Sequence, residues 1–430
     1  MSITPELLAP AGSPEKMRYA FAYGADAVYA GIPKFSLRAR ENLFKDETLL
    51  DAIDEVHRLG KKIYITANIL PPNRKVDSFR KSLEKYAAAR PDGLIMSDPG
   101  LIQYVLKHFP DVPVHLSVQT NTINWPSVKF WHDLGVRRVI LSRELSIEEI
   151  AEIHRRVPGM ELESFVHGSI CIAYSGRCLL SNYFNHRDAN QGTCTNSCRW
   201  EYDVHEGKEN AGSCGGGEYF IEEKERPGEL MPIDEDEHGT YIMNSKDLRA
   251  IEFLEPLQEA GVMSFKIEGR SKSIYYLSLI TRAYRRAIDD LMNNRPFNPE
   301  LLGEVEKTAN RGFTSAFLRP HQREETERMD SPQVTELPQV FAGQVINTRA
   351  GGWMEVEVKN RVERGDALEF ISPGHQYRFV LEEMKDREGS ALDVAHGGGG
   401  RVWLRTAGPV ELYALLSLIK VPAEVESLMG

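Results

Sequence analysis

From Glu6 to Ile267 the chain alternates short, nearly unbroken apolar runs with longer stretches of helical spacing. The runs are Glu6–Pro10, Asp26–Ala30, Lys62–Thr66, Gly93–Met96, Val114–Val118, Arg138–Leu141, Leu162–Val166 and Ser264–Ile267. Continuous rather than alternating apolar runs predict parallel strands covered on both faces. Helix signals fill the gaps. Ser13-Pro14-Glu15 sets an N-cap serine before a first-turn proline, and Ser146-Ile147-Glu148-Glu149 begins another helix. Gly24, Gly60, Gly135 and Gly261 stand where helices end, just ahead of the next run. Eight such β/α units predict an α/β fold of the closed (β/α)8, TIM-like type. An open doubly wound sheet is the alternative, but no glycine-rich dinucleotide turn follows the first run.

The pattern breaks after the seventh strand. Of the long stretch between Val166 and Ser264, only Lys246–Ala260 reads as the expected helix. A connection of this length inside a compact domain is functional or disordered. It leaves the C-terminal end of a strand, the barrel face on which active sites sit. We place it as an insertion at 169–245 within a barrel domain of residues 1–320. The sequence after Pro296 is helical and polar, with a turn at Arg311-Gly312-Phe313, and 321–338 is charged and uneven, as linkers are. From 339 to 425 the period becomes two, as in Trp353–Val358 and Tyr377–Leu381, with turns at Arg364-Gly365-Asp366 and Gly397–Gly400. That predicts a small C-terminal antiparallel β-barrel. The glycine run lacks a strand-then-helix frame and reads as a turn, not a phosphate loop.

Composition adds three constraints. Hydrophobic residues at 41% and charged residues at 27% are a soluble balance. No apolar run reaches the length of a membrane span, and Met1–Glu6 lacks the basic and apolar regions of a signal peptide, so a cytoplasmic protein is expected. The formal net charge of −11 argues against binding nucleic acid through bulk charge. An RNA partner would need local basic surface.

All five cysteines, Cys171, Cys178, Cys194, Cys198 and Cys214, fall in the insertion. An odd, clustered set without a signal peptide favours metal binding or catalysis over disulfides, with plain buried or free thiols as the bland alternative. Four thiolates suit zinc or an iron–sulfur cluster. Only Cys194 and Cys198 have the tight spacing of a zinc knuckle, and the wider interval from Cys171 to Cys178 is easier to reconcile with an iron–sulfur cluster. The CxxxCxxC signature of radical enzymes is absent, as are HExxH and GxSxG. Polar residues just past the strands belong to the barrel mouth: Asn68, Asp98, Gln119, Arg143 with Glu144, His167, and Glu268 with Arg270. Lys266 lies inside the eighth strand and needs a carboxylate, Glu268 or Glu163. Taken singly, each of these more readily forms a structural ion pair; their convergence on one face marks the set.

The runs Glu163–Cys171, Ser175–Ser181, Asn190–Tyr202 and Glu235–Leu248 resemble the collagenase-like peptidase family of unassigned catalytic type, in particular its branch that acts on tRNA. The likeness covers nearly the whole chain, from Glu6 into the C-terminal domain. It implies a prephenate-dependent, oxygen-independent hydroxylation of the wobble uridine of tRNA to 5-hydroxyuridine. It also implies a [4Fe-4S] cluster on Cys171, Cys178, Cys194 and Cys198, with Cys214 outside the family pattern. Related members hydroxylate ribosomal RNA or a ubiquinone precursor. Prephenate carries two carboxylates, which on this reading fall to Arg143 and Arg270 with Lys266 in support, and Glu144 and Glu268 complete the catalytic set. His167 would orient the cluster, shuttle protons or cap the loop. The basic and aromatic stretch Arg270–Arg286 would touch phosphates and stack a base, although a plain amphipathic helix has the same pattern. The small barrel would help hold tRNA while a flipped base reaches the barrel centre. Two rivals remain: a collagenase-like peptidase using a Cys171–His167 dyad, and a zinc-stabilised RNA-binding module without catalysis.

Overall fold

The computed structural model describes residues 4–37, 42–170, 246–308, 310, 312–319, 339–398 and 400–420, with the backbone of five short strands between 202 and 240. Seven barrel strands follow in order: β1 (Glu6–Pro10), β2 (Ala27–Gly31), β3 (Lys62–Ala67), β4 (Gly93–Met96), β5 (Val114–Leu116), β6 (Arg138–Ile140) and β7 (Glu161–Ser169). The eighth, Val262–Ile267, lies parallel to both β7 and β1 and closes the ring. The expected (β/α)8 barrel is therefore the fold, and its strands are buried nearly throughout. The caps behave as their residue types dictate. Ser13 accepts from the Lys16 amide, and Ser146 with Glu149 forms a reciprocal capping box.

Three local departures shape the mouth. First, β7 runs on to Ser169, and its end pairs antiparallel with Asp247–Arg249, which in turn pairs with Phe313–Thr314. The expected helix over Lys246–Ala260 thus starts as a strand, because the overrunning β7 offers an open ladder; a 3-10 turn over Ile251–Phe253 leads into the α-helix Leu254–Glu259. Phe313 is likewise strand, not turn. Second, Gly168 holds φ at +107°, and a Cβ there would sit 2.6 Å from the Glu268 carbonyl oxygen. Glycine lets β7 and the eighth strand touch at that point. Third, β5 stops at Leu116 and a 3-10 turn, Val118–Thr120, carries Gln119 to the mouth.

Within the insertion, Tyr202–Glu206, Tyr219–Glu223 and Leu230–Ile233 make an antiparallel sheet, and Glu235–Asp236 pairs with Gly239–Thr240. The five cysteines, the linker 321–338 and residues 421–425 lie outside the described residues.

The C-terminal domain is a seven-stranded antiparallel sheet running from Gln376–Val380 at one edge to Met384–Lys385 at the other. A barrel was expected here; among the described residues no pair joins the two edges. Its apolar face, including Val345, Met354, Val356, Leu368, Phe370 and Leu404, forms a core separate from the barrel's. The two domains meet at Tyr19, Tyr23, Tyr275, Leu279, Ile371 and Leu415. The helix Ile274–Met292 supplies much of this junction. Its Tyr275, Tyr276, Arg282 and Tyr284 are buried, and Arg282 binds the Ser372 carbonyl, Glu304 and Gln376. Arg285 pairs with Asp26 and Asp289. Of the two readings of Arg270–Arg286, the plain amphipathic helix is the one observed from Ile274 onward, where it packs the barrel against the C-terminal domain; Arg270 lies ahead of it. Among the described residues, no helix is long and apolar enough to cross a membrane.

Candidate active site

A charged column crosses the inside of the barrel. Alternation along each strand points every second residue inward. On β1 and β6 this directs Glu6 and Arg138 inward, where Arg138 Nη1 lies 2.7 Å from Glu6 and 3.1 Å from Glu163 of β7. The other Glu163 oxygen accepts from Lys266 Nζ at 2.7 Å. Glu6 also accepts from the Tyr64 hydroxyl at 2.6 Å and from Ser264 at 3.0 Å. Glu163 is fully buried, and Glu6, Arg138 and Lys266 are at most 9% exposed. Burial alone would raise the Glu6 carboxyl, but Arg138 and the Tyr64 hydrogen bond outweigh it and hold it below the usual carboxylate value. Burial pushes the Lys266 ammonium below its usual value, and Glu163 restores only part of that. Of the two carboxylates anticipated for Lys266, it is Glu163 that binds it.

Above Lys266 the mouth opens. Phe165 packs flat beneath the Arg143 guanidinium, 3.7 Å from ring centroid to Cζ. Arg143 Nη2 reaches Glu268 at 3.3 Å, while its buried Nε has no hydrogen-bond partner. The next residue, Glu144, has a buried Oε2 that also lacks one. Arg270 donates to the Leu37 carbonyl at 2.5 Å and lies beside the Tyr29 ring. Arg143, Glu144, Lys266, Glu268 and Arg270 thus gather around the ends of β6, β7 and the eighth strand. The opposite side, at the ends of β3, β4 and β5, is neutral: Asn68, Ser97, Ser117 and Gln119 bond to one another. Asp98 is spent as an N-cap on Leu101. The guanidinium groups on one side can bind carboxylates bidentately with the Lys266 ammonium as a point charge, and the amide and hydroxyl groups on the other can read a polar ring.

His167 stands apart from this set. Its ring is enclosed by Tyr276, Tyr284 and Phe313, with Nδ1 3.3 Å from the Tyr284 hydroxyl. Burial drives the imidazole down to about 3, with Asp247 opposing. The ring is neutral near neutral pH and is held in place by its aromatic cage. The surroundings match a structural anchor at the root of the insertion. Reading the strands as apolar runs missed Glu6, Tyr64, His115 and Arg138. The available signal was a charge inside an otherwise apolar strand, seen at Glu163 and Lys266 but not pursued at Glu6 and Arg138.

Comparison with known proteins adds the family context. Residues 12–328 match the model of peptidase family U32, and residues 338–417 match the U32 C-terminal domain. The chain is 51% identical over 435 residues to tRNA hydroxylation protein P of Escherichia coli K12, covering 96% of each. It is 29% identical over 376 residues to the 23S rRNA 5-hydroxycytidine C2501 synthase of the same organism, covering 85% of this chain and 52% of that one. Among solved structures, the U32 peptidase Mk0906 aligns over 63% of this chain and 94% of its own, at 14% identity and a TM-score of 0.39.

Proposed function

The chain belongs to peptidase family U32, and on that premise we propose that it hydroxylates the wobble uridine of tRNA to 5-hydroxyuridine, with prephenate as co-substrate and without molecular oxygen. The observation that carries the reading is a mouth lined with carboxylate-binding cations in a chain half-identical, end to end, to a tRNA hydroxylation protein. In this scheme Arg143 and Arg270 hold the two carboxylates of prephenate. Phe165 fixes the Arg143 plane from below. Lys266, anchored by Glu163, adds positive potential under the ligand. Glu144 adds a buried carboxylate oxygen with no hydrogen-bond partner among the described residues. The donor set Cys171, Cys178, Cys194 and Cys198 suits a [4Fe-4S] cluster, since thiolates are its usual ligands. When bound, such a cluster would supply redox or Lewis-acid capacity.

The RNA partner must overcome a net charge of −11. The outer face of the C-terminal sheet offers what is needed. Trp353 lies directly across from Arg349 and Arg405, and Trp403 across from Lys385. Arg349 stacks 3.8 Å over Trp403, and Lys385 lies 4.6 Å over Trp353. Trp403 is buried beneath Arg349, while the exposed Arg349 and Arg405 and the part-exposed Trp353 are the elements that can grip backbone phosphates and stack a base.

The test is nucleoside analysis of tRNA from a strain lacking the protein, complemented with the wild-type chain or with Cys171→Ala. Wild type restores 5-hydroxyuridine and Cys171→Ala does not. Normal 5-hydroxyuridine with Cys171→Ala overturns the cluster, and none with wild type overturns the activity. Iron analysis of the purified wild-type chain is expected to show roughly four irons and no zinc; zinc alone favours the binding-module reading.

A further inference from the structure

The neutral side of the mouth contains a hydrogen-bond chain with a fixed direction. It starts from a group whose polarity is not in question, the Leu37 backbone N–H, which donates to Asn68 Oδ1 at 3.1 Å. That sets the Asn68 amide, so Nδ2 donates to Ser117 Oγ at 3.2 Å. Ser117, having accepted, directs its own hydroxyl proton to Gln119 Oε1 at 3.2 Å. Ser97 Oγ faces the same oxygen at 3.0 Å. Flipping Asn68 would set donor against donor at Leu37, and with Gln119 Oε1 facing the Ser117 and Ser97 hydroxyls the Gln119 amide nitrogen is left at the end of the chain. The chain ends at Gln119 Nε2, which is therefore a donor. Gln119 is 7% exposed and Nε2 has no hydrogen-bond partner among the described residues. Asn121, two residues on, ties this turn to Ser142 beside Arg143. Leaving a buried amide donor unmade is destabilising, so its position at the mouth points to a ligand oxygen.

From this geometry we propose that Gln119 selects the base, donating from Nε2 to the O4 carbonyl of uracil and rejecting the N4 amino group of cytosine. The proposal rests on the uridine-hydroxylation reading and specifies it. Reaction at C5 brings the adjacent C4 substituent into the mouth, whereas O2, which both pyrimidines share, lies across the ring. A neutral amide suits a neutral carbonyl, and the cations opposite suit carboxylates. Discrimination between the two bases matters in this family, because one relative carries a cytidine product in its name. In cytosine the N4 group is itself a donor, and two donors face to face leave both unsatisfied.

The experiment uses the purified holoprotein and anticodon stem–loops that differ only in uridine or cytidine at the target position. Wild type, Gln119→Glu and Gln119→Leu are compared, with melting temperatures confirming that each is folded. Equilibrium binding and kcat/KM are read for both substrates, and KM is read for prephenate. Wild type is expected to favour uridine by roughly 10- to 100-fold. Gln119→Leu should lose most of that ratio. Gln119→Glu, which replaces the donor with an acceptor, should shift it toward cytidine. Prephenate KM should hold steady in both. A uridine-to-cytidine ratio that survives both substitutions, or an effect confined to prephenate KM, overturns the proposal. No product from wild type on any substrate instead overturns the hydroxylase reading, while the binding ratio still judges Gln119.

Discussion

Glu163 sits between Arg138 and Lys266, and its two oxygens are divided between them. Removing one partner of such a buried set costs about 3–5 kcal/mol, since the remaining charge stays buried. That Lys266 requires a carboxylate was legible from its position in a strand. Glu163 and Glu268 are both candidates for it on sequence; that Glu163 rather than Glu268 provides it, and that Glu6 and Arg138 extend the network, was not legible, because these residues are far apart along the chain and meet only when the ring closes. His167 shows the opposite limit. Its place before Cys171 invited a chemical role, and only packing shows the aromatic cage around it. The cage has a measurable signature. The folded-state value is depressed to about 3 against 6.5 for a free imidazole. Between those values the unfolded chain binds a proton that the folded chain refuses, so stability falls as pH drops from 6.5 toward 3. One proton corresponds to about 1.4 kcal/mol per pH unit. Urea titrations of wild type and His167→Phe at pH 6, 5 and 4 should diverge at about that slope, with wild type losing more. Parallel curves would show that the ring is not buried as described.

The barrel strands were legible as elements because unbroken apolar runs and glycine-ended helices repeat with one period, and the glycines at 24, 60, 135 and 261 all adopt positive φ. Asp247–Arg249 was not, because three residues carry too little pattern and their strand character comes from the ladder that β7 offers. For the helix Ile274–Met292 the sequence left two roles open, since a helical stripe of Tyr and Arg looks the same whether it faces RNA or a second domain. At that junction Glu304 accepts from Lys307 at 2.9 Å and from Arg282 at 2.8 Å. Burial opposes ionisation there, but the two cations prevail and hold the carboxyl down at about 2, against 4.5 when free. Its contribution is present above pH 4.5 and is lost as pH falls toward 2. Glu304→Gln should destabilise the junction by roughly 2–3 kcal/mol at neutral pH. The difference from wild type should shrink as pH drops below 4.5, followed by the fluorescence of Trp353 and Trp403 during urea unfolding. A difference that stays constant with pH would assign the loss to packing rather than charge.

At the scale of the whole molecule, total charge and fold pull in different directions, and the register of the C-terminal sheet resolves them. On the proposed reading, a chain of net charge −11 gains nothing from diffuse attraction to RNA and would hold it locally. Composition could not show this, because Arg349, Trp353, Arg405, Trp403 and Lys385 come from four strands and share a face only through cross-strand pairing. Arg405 also pairs with Glu383, and Glu355 on the same face takes Arg387, so part of the positive charge is already balanced. The cations that remain act over roughly a Debye length, about 8 Å at physiological salt. A phosphate contact made by each arginine predicts a specific outcome. Arg349→Glu combined with Arg405→Glu should weaken tRNA binding at least tenfold and lower the salt slope of log Kd by about 2. The turnover rate at saturating tRNA should not change, because neither residue reaches the mouth. Filter binding across 50–300 mM salt measures the slope, and single-turnover hydroxylation measures the rate. An unchanged slope would move the RNA grip off this face, and a fallen rate at saturation would mean the sheet positions the base as well as holding the backbone.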